Sequence, residues 1–138
     1  MYMKTNLICS RTCVFNVNYN IVWSTKYRVK VLTPEIENYL QDLFKQIGIE
    51  KNFNIIQVKV GESDHVHIFV SAHPKISPSY IAKMLKGISA RRLLLKYPII
   101  KNQLRKGHLW NSSFYIETIG SISEDIIKKY IEKQLNRG

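Results

Sequence analysis

The clearest alternation of apolar and polar positions lies in the first quarter of the chain. Apolar side chains occupy every second position from Phe15 to Trp23, and asparagines fill most of the positions between them. A period of two predicts a half-buried strand, with one face in the core and the other in solvent. Residues 55–60, 64–70 and 114–119 are rich in β-branched and aromatic side chains, so they predict three further strands.

A hydroxyl residue followed by proline predicts the start of a helix at two places, Thr33–Pro34 and Ser77–Pro78. The hydroxyl can cap the helix, and proline is favoured at the first helical position. We expect the first helix to end within residues 48–52. Ser123 predicts the cap of a last helix over residues 121–138. The second helix should bury an apolar stripe of Ile81, Leu85, Ile88 and Leu95.

The predicted order is strand, helix, strand, strand, helix, strand, helix. The first six elements form the split βαβ arrangement of ferredoxin-like and RRM-like domains. We therefore expect an α+β fold, an antiparallel sheet with helices on one face and an added C-terminal helix. Residues 1–138 should form one domain, with residues 1–12 as a loose N-terminal arm.

The strand over residues 64–70 carries the most informative side chains. His65 and His67 are one residue apart, so they should share a face of the strand with Phe69 and Ser71. Two imidazoles on one rigid strand suit a divalent metal ion, whereas the alternative is a solvated histidine pair. A metal would need a further ligand, because two histidines do not complete its coordination.

The last helix contributes two further candidates. Tyr130 and Gln134 are four residues apart, so they lie one turn above the other on the stripe that also holds isoleucines. Gln134 is a candidate oxygen ligand for the metal, because a glutamine on an apolar stripe is locally inconsistent. The alternative is a core tyrosine followed by a glutamine at the solvent edge.

Charge and composition point to a polyanionic partner. The formal net charge is +11 and 45% of the residues are hydrophobic, so a folded basic domain is expected. Nucleic acid is the first candidate and an anionic membrane surface the alternative; no apolar run is long enough to span a membrane. Cys9 and Cys13 are expected to be unpaired thiols in a reducing cytoplasm. A zinc deaminase is excluded, because its His-x-Glu and Cys-x-x-Cys motifs are absent.

Several short motifs together resemble one known family over about residues 15 to 135. They are Trp23–Arg28, Asp64–His67, Leu85–Ser89 with Arg91, Leu109–Asn111, Ile119–Gly120 and Tyr130–Gln134. In this order they resemble the single-tyrosine HUH transposases of the IS200-like family, which move small prokaryotic insertion sequences as single-stranded DNA.

The resemblance implies a role for each matching residue. His65 and His67 would bind Mg²⁺ or Mn²⁺, Gln134 would be the third protein ligand, and Tyr130 would be the nucleophile that forms a 5′-phosphotyrosine intermediate. Asp64, which precedes His65 in the chain, is a candidate to support the two histidine ligands without itself binding the metal. The resemblance also implies a cytoplasmic homodimer that shares its active sites between subunits and binds hairpins at the ends of the element.

Candidate DNA-binding residues combine basic groups with an aromatic ring that could stack on bases. Trp110 could also be a core residue, because aromatic side chains at strand ends are often buried. The candidates are Lys26, Arg28, Lys86, Arg91, Arg92, Lys101, Arg105, Lys106 and Trp110.

Three other functions remain open on the residues alone. A non-catalytic RNA-binding or single-stranded-DNA-binding RRM-like module would share the fold, but it would carry aromatic side chains where this chain has His65 and His67. A replication initiator or relaxase would use similar chemistry, usually within a longer chain. A small metal-dependent hydrolase would need a carboxylate base, and none is evident.

Overall fold

An antiparallel sheet forms the centre of the computed structural model, which describes residues 7–8 and 14–119. Four strands pair in the order β4-β5-β3-β6, and β1 and β2 form a separate short ladder. The strands are β1 (Leu7–Ile8), β2 (Val14–Phe15), β3 (Val17–Ser24), β4 (Asn54–Gly61), β5 (His65–Ala72) and β6 (Tyr115–Ile119). The helices are α1 (Pro34–Lys51) and α2 (Pro78–Lys96), and 3₁₀ turns occur at Lys26–Arg28, Pro98–Gln103 and Arg105–Gly107.

This topology confirms the predicted α+β fold with a split βαβ arrangement. Strands β4 and β5 form the predicted hairpin, and β3 lies between β5 and β6 with both pairings antiparallel. Apolar side chains on one face of the sheet form the core with α1 and α2. Trp23 of β3 meets Phe44 of α1 edge to face, with ring centroids 5.8 Å apart.

Both helix starts follow the capping signals in the sequence. The Thr33 hydroxyl accepts a hydrogen bond from the Ile36 amide, and the Ser77 hydroxyl accepts one from the Tyr80 amide. Helix α1 ends at Lys51, and the left-handed backbone of the capping Asn52 (φ 66°) lets the following amide, that of Phe53, donate to the Gly48 carbonyl. These side-chain and backbone bonds satisfy groups that the ends of a helix leave unpaired.

The predicted apolar stripe of α2 was wrong at its end. Leu95 is 74% exposed, whereas Leu93 is fully buried. The buried row advances four residues at a time from Ile81 through Leu85 and Ser89 to Leu93. Leu95 therefore lies off the face that meets the core, and Ile88 lies at its margin.

Two predictions for the N-terminal strand also need correction. Leu7–Ile8, assigned to a loose arm, pair with Val14–Phe15 in the short β1–β2 ladder. The polar face of β3 is not solvated, because Asn18 and Asn20 are at most 1% exposed. On the same face, Asn18 lies opposite Ser71 of β5 and Asn20 lies opposite Phe69.

Several predictions lie outside the described residues. They concern most of the N-terminal arm, both cysteines and the last helix with Tyr130 and Gln134. Within the described ranges, neither α1 nor α2 has a stretch long and apolar enough for a membrane span.

Candidate active site

The strand register brings the two histidines to one end of one sheet face. His65 lies opposite Ser24 and His67 opposite Val22 on the neighbouring strand β3. The two imidazole rings meet with their centroids 5.1 Å apart, and both line one cleft. The prediction that they share a face is therefore confirmed. His67 is only 8% exposed, so the alternative of a freely solvated pair does not hold for it.

Asp64 orients the first histidine. Its Oδ1 lies 2.8 Å from Nδ1 of His65, and a carboxylate can only accept, so the imidazole donates. Burial raises the pKa of the Asp64 carboxyl, but the hydrogen bond from His65 and the charge of Lys30 outweigh burial and hold that pKa below its ordinary value. Asp64 is thus a buried carboxylate that fixes the tautomer of His65, leaving Nε2 as its remaining ring nitrogen.

A tight turn positions Asp64 at the start of β5. Glu62 and Ser63 both have positive φ angles, 52° and 60°, and the Asp64 amide donates to the Gly61 carbonyl. The Asp64 carbonyl in turn accepts from the Thr25 amide, which follows β3. The turn is therefore held from both sides, so the carboxylate keeps its place beside His65.

The histidines open into a cleft of about 570 Å³, which we call the histidine cleft. Phe114 and Tyr115, which form its opposite wall, are 38% and 55% exposed. The cleft is lined by Val22, Trp23, Ser24, Arg28, His65, His67, Asn111, Ser113, Phe114 and Tyr115. Arg28 also lies 3.7 Å from Oδ1 of Asp64, which gives the cleft a cationic rim.

The imidazole nitrogens of His65 and His67 could supply some, but not all, of the ligands of a metal ion. Neutral imidazoles are common ligands for divalent transition ions, and the Asp64 contact is the usual support for such a ligand. Residues 7–8 and 14–119 contain no group of three or more His, Cys, Asp and Glu side chains that could hold a metal ion. His65 and His67 would therefore supply two ligands, and a further donor would have to come from elsewhere.

One predicted DNA-binding residue lines the cleft, and two others lie over the ring of Tyr27, the residue before it. Arg28 lines the cleft directly and its side chain is 66% exposed. Lys26 and Arg105 lie over the exposed ring of Tyr27, at 5.7 Å and 5.3 Å from its centroid. The backbone amide of Lys26 donates to the Leu109 carbonyl. This bond attaches the backbone at Lys26 to the segment that runs from Leu109 to Asn111, which lines the cleft.

The other predicted DNA-binding residues have different surroundings. Trp110 is 8% exposed, packs edge to face on Trp23 and donates its indole N–H to the Ser89 hydroxyl. The stacking role predicted for it is therefore wrong for this arrangement, and Trp110 belongs to the core. Arg91 is exposed and Arg92 half-buried on α2, and neither lines the cleft.

Lys86 is half-buried, and its ammonium is directed at protein groups. Its ammonium donates to the backbone carbonyls of Asn111 at 2.6 Å and Ser113 at 3.2 Å. It also lies over the Phe114 ring, 5.3 Å from the centroid, and burial lowers its pKa. Two of its three N–H donors are thereby directed to protein carbonyls.

Sequence reasoning missed the wall formed by Phe114 and Tyr115. Both residues were assigned to the fourth strand only, and their exposure depends on β6 being the edge strand beside β3. The adjacent aromatic pair behind a polar stretch, Asn111 to Ser113, was the available signal. Nothing in that pattern says which sheet face or which end of the sheet it occupies.

Comparison with known proteins agrees with this geometry. A family model described as IS200-like transposase matches residues 13–134. The ISDra2 transposase TnpA of Deinococcus radiodurans is 38% identical over 124 residues, covering 90% of this chain and 88% of that protein. The IS200 transposase of Salmonella typhimurium is 28% identical over 121 residues, covering 88% and 78%.

Solved structures show the same fold. The crystal structure of a Deinococcus radiodurans R1 protein assigned as a transposase superposes with a TM-score of 0.75 and 32% identity, covering 93% of this chain and 98% of that one. A REP-associated tyrosine transposase bound to a REP hairpin gives a TM-score of 0.57 at 14% identity, covering 89% and 68%. The second likeness concerns the fold alone.

Proposed function

This chain belongs to the IS200-like transposase family, and from that premise we propose that it cleaves and rejoins single-stranded DNA at the ends of an insertion sequence. The reaction would pass through a 5′-phosphotyrosine intermediate on Tyr130. His65, His67 and Gln134 would hold a divalent metal ion, Mg²⁺ or Mn²⁺.

The pairing of His65 with Asp64 beside His67 is the observation that carries this proposal. A buried carboxylate 2.8 Å from Nδ1 fixes an imidazole for service as a ligand. The second imidazole lies beside the first on the wall of an open cleft. A non-catalytic RRM-like module has no need of this arrangement, and it would present stacking aromatics on the same central strand.

The chemistry asked of the protein is one transesterification and its reverse. The Tyr130 oxygen would form a bond to phosphorus while the bond to the 3′ oxygen breaks, and the phenol proton would end on the released 3′-hydroxyl. A bound divalent ion would supply charge stabilisation at the phosphate. A free phenol has a pKa of about 10, so a nearby cation such as Lys129 or Lys133 would help to ionise it.

The cationic residues of the cleft rim would hold the DNA strand. Arg28 lines the cleft, and Lys26 and Arg105 lie over the ring of Tyr27, the residue before Arg28. Their charges would attract backbone phosphates, consistent with a net charge of +11. We propose further that the protein acts as a cytoplasmic homodimer on hairpin-bearing strands, and that Tyr130 of one subunit serves the histidines of the other.

Labelled single-stranded oligonucleotides that tile the DNA flanking the protein's own gene provide the test. Incubated with Mg²⁺ or Mn²⁺, the wild-type protein should form an adduct that survives denaturation. Tyr130→Phe should abolish the adduct, because it removes the attacking oxygen, and His67→Ala should also abolish it. Tyr80→Phe, an exposed tyrosine on α2 remote from the cleft lining, is the matched control and should retain the adduct.

Each component of the proposal can fail separately. An adduct that persists in Tyr130→Phe but disappears in Tyr115→Phe would move the nucleophile to the tyrosine on the cleft wall. Full cleavage by His67→Ala would contradict the metal assignment. Mixing Tyr130→Phe with His65→Ala should restore activity through heterodimers, and the absence of rescue would contradict sharing between subunits.

A further inference from the structure

We propose that Phe114 is a stacking platform for one base of the bound strand, held in place by Lys86. The inference rests on the proposed function, because it assigns a base-binding position within the histidine cleft. Its ligand is an unpaired nucleobase of single-stranded DNA next to the phosphate that the histidines face.

The position of Phe114 supports this assignment. Tyr115 and His67 both lie opposite Val22, on the two strands that flank β3. Phe114 immediately precedes Tyr115 and lines the same cleft as both histidines. It is 38% exposed, although Trp110 only four residues earlier is buried. Proteins that bind single-stranded nucleic acid stack unpaired bases on accessible aromatic rings that lie in a positively charged groove.

Lys86 gives the platform its rigidity. Its ammonium bonds two backbone carbonyls, those of Asn111 and Ser113, which closes the segment just before Phe114 against α2. At the other end, the Asn111 amide donates to the Ser24 carbonyl of β3. The segment is therefore attached to both the helix and the sheet. The same ammonium lies 5.3 Å from the Phe114 ring centroid, a cation–π contact that fixes the ring.

The surroundings favour a base of a charged strand over an apolar partner. Arg28 lies on the cleft, and the two histidines and Ser113 make much of the remaining lining polar. An apolar protein segment would leave these groups unpaired, whereas a nucleotide offers phosphate to Arg28 and a π face to Phe114. Lys86 is accordingly a positioning residue rather than a phosphate contact.

Binding of a fluorescent twenty-nucleotide oligothymidine, measured without metal, tests the platform apart from cleavage. Phe114→Ala should weaken binding by about 5-fold to 150-fold, the range found for loss of one base–aromatic stack. Phe114→Trp should restore it. Lys86→Met keeps the apolar part of the side chain but removes its N–H donors. It should also weaken binding, because Phe114 is then less firmly held. Tyr80→Ala and Lys83→Met, exposed residues on α2 away from the cleft lining, are the matched controls and should change affinity less than twofold.

Two further measurements separate stacking from charge. An abasic oligonucleotide should bind wild type and Phe114→Ala equally, because it has no base to stack. The slope of log affinity against log salt should be unchanged in Lys86→Met, whereas Arg28→Ala should reduce it by about 0.7, the value for one lost phosphate contact on a single strand. A reduced slope in Lys86→Met would show a phosphate contact and overturn the positioning role.

The outcomes distinguish this inference from the proposed function. If wild type binds oligothymidine and Phe114→Ala binds equally well, the platform is refuted while the transposase chemistry stands. A change of oligomeric state in Phe114→Ala with unchanged DNA affinity would assign the ring to a subunit contact instead. If wild type neither binds nor cleaves single strands, the proposed function itself fails.

Discussion

The two faces of the sheet are both buried over the central strands, but with opposite chemistry. On the helix face, Ile21 and Ile68 are fully buried among aliphatic and aromatic neighbours. On the other face, the fully buried Phe69 lies among polar residues: Asn20 and Ser71 are at most 1% exposed, and His67 is 8% exposed. Burial of apolar surface stabilises a fold, whereas burial of polar groups costs free energy unless each is hydrogen-bonded.

Within strand β5, the residues that stabilise the fold differ from the residues that would take part in the chemistry. Successive residues of β5 alternate between the two faces, so Ile68 belongs to the core and His67 to the cleft. A chain selected only for stability would gain by apolar residues on both faces. Polar residues that stay buried at such positions are typical of functional sites.

The largest expected difference is in stability. Ile68→Ala should lower the free energy of unfolding by about 2 to 5 kcal/mol, because it opens a cavity beneath α1 and α2. His65→Ala should cost less, about 1.5 to 3 kcal/mol, because it removes a hydrogen bond to a charged carboxylate that keeps Lys30 as a partner, and it should abolish the DNA adduct. Urea denaturation of both variants measures the contrast. If Ile68→Ala and His65→Ala lowered the free energy of unfolding equally, the helix face would not be the main source of stability.

A smaller effect is expected on metal affinity when Asp64 no longer orients His65. Asp64→Asn keeps the shape of the side chain but removes its charge, so the imidazole is less firmly oriented. Mn²⁺ affinity, measured by titration calorimetry, should fall by about 10-fold to 100-fold. Glu62→Gln, which removes a carboxylate from the same turn at an exposed position, is the control and should leave affinity unchanged. The orienting role would be refuted by an equal loss in both variants.

The smallest effect should come from the ion pair at the rim. Lys30 lies 3.4 Å from Oδ2 of Asp64, but its side chain is 62% exposed. Exposed pairs contribute about 0 to 1 kcal/mol. Lys30→Ala should therefore change thermal stability by a few degrees at most, and less at high salt. A loss as large as that of Ile68→Ala would mean that the cleft side also carries the stability of the fold.

Local patterns predicted the secondary structure well because their causes are local. Thr33 and Ser77 cap the helices that they precede, and the period of two in β5 puts His65 and His67 on one face. The predictions that were wrong concern which side chains are buried, because burial depends on how the elements pack together. Leu95 and Leu93 are both leucines near the end of α2, and only the direction of the helix against the sheet chooses between them.

The sequence by itself determined the element order, the paired imidazoles and the basic charge, since these depend on neighbouring residues or on composition. Tertiary structure alone decided that Asn18 and Asn20 are buried, that Trp110 is a core residue and that Lys86 holds a loop. It also brought Phe114 to the wall facing the histidines. The physical reason is that burial and contact depend on which strands become neighbours, and His65 and Phe114 line one cleft only because β3 pairs with both β5 and β6.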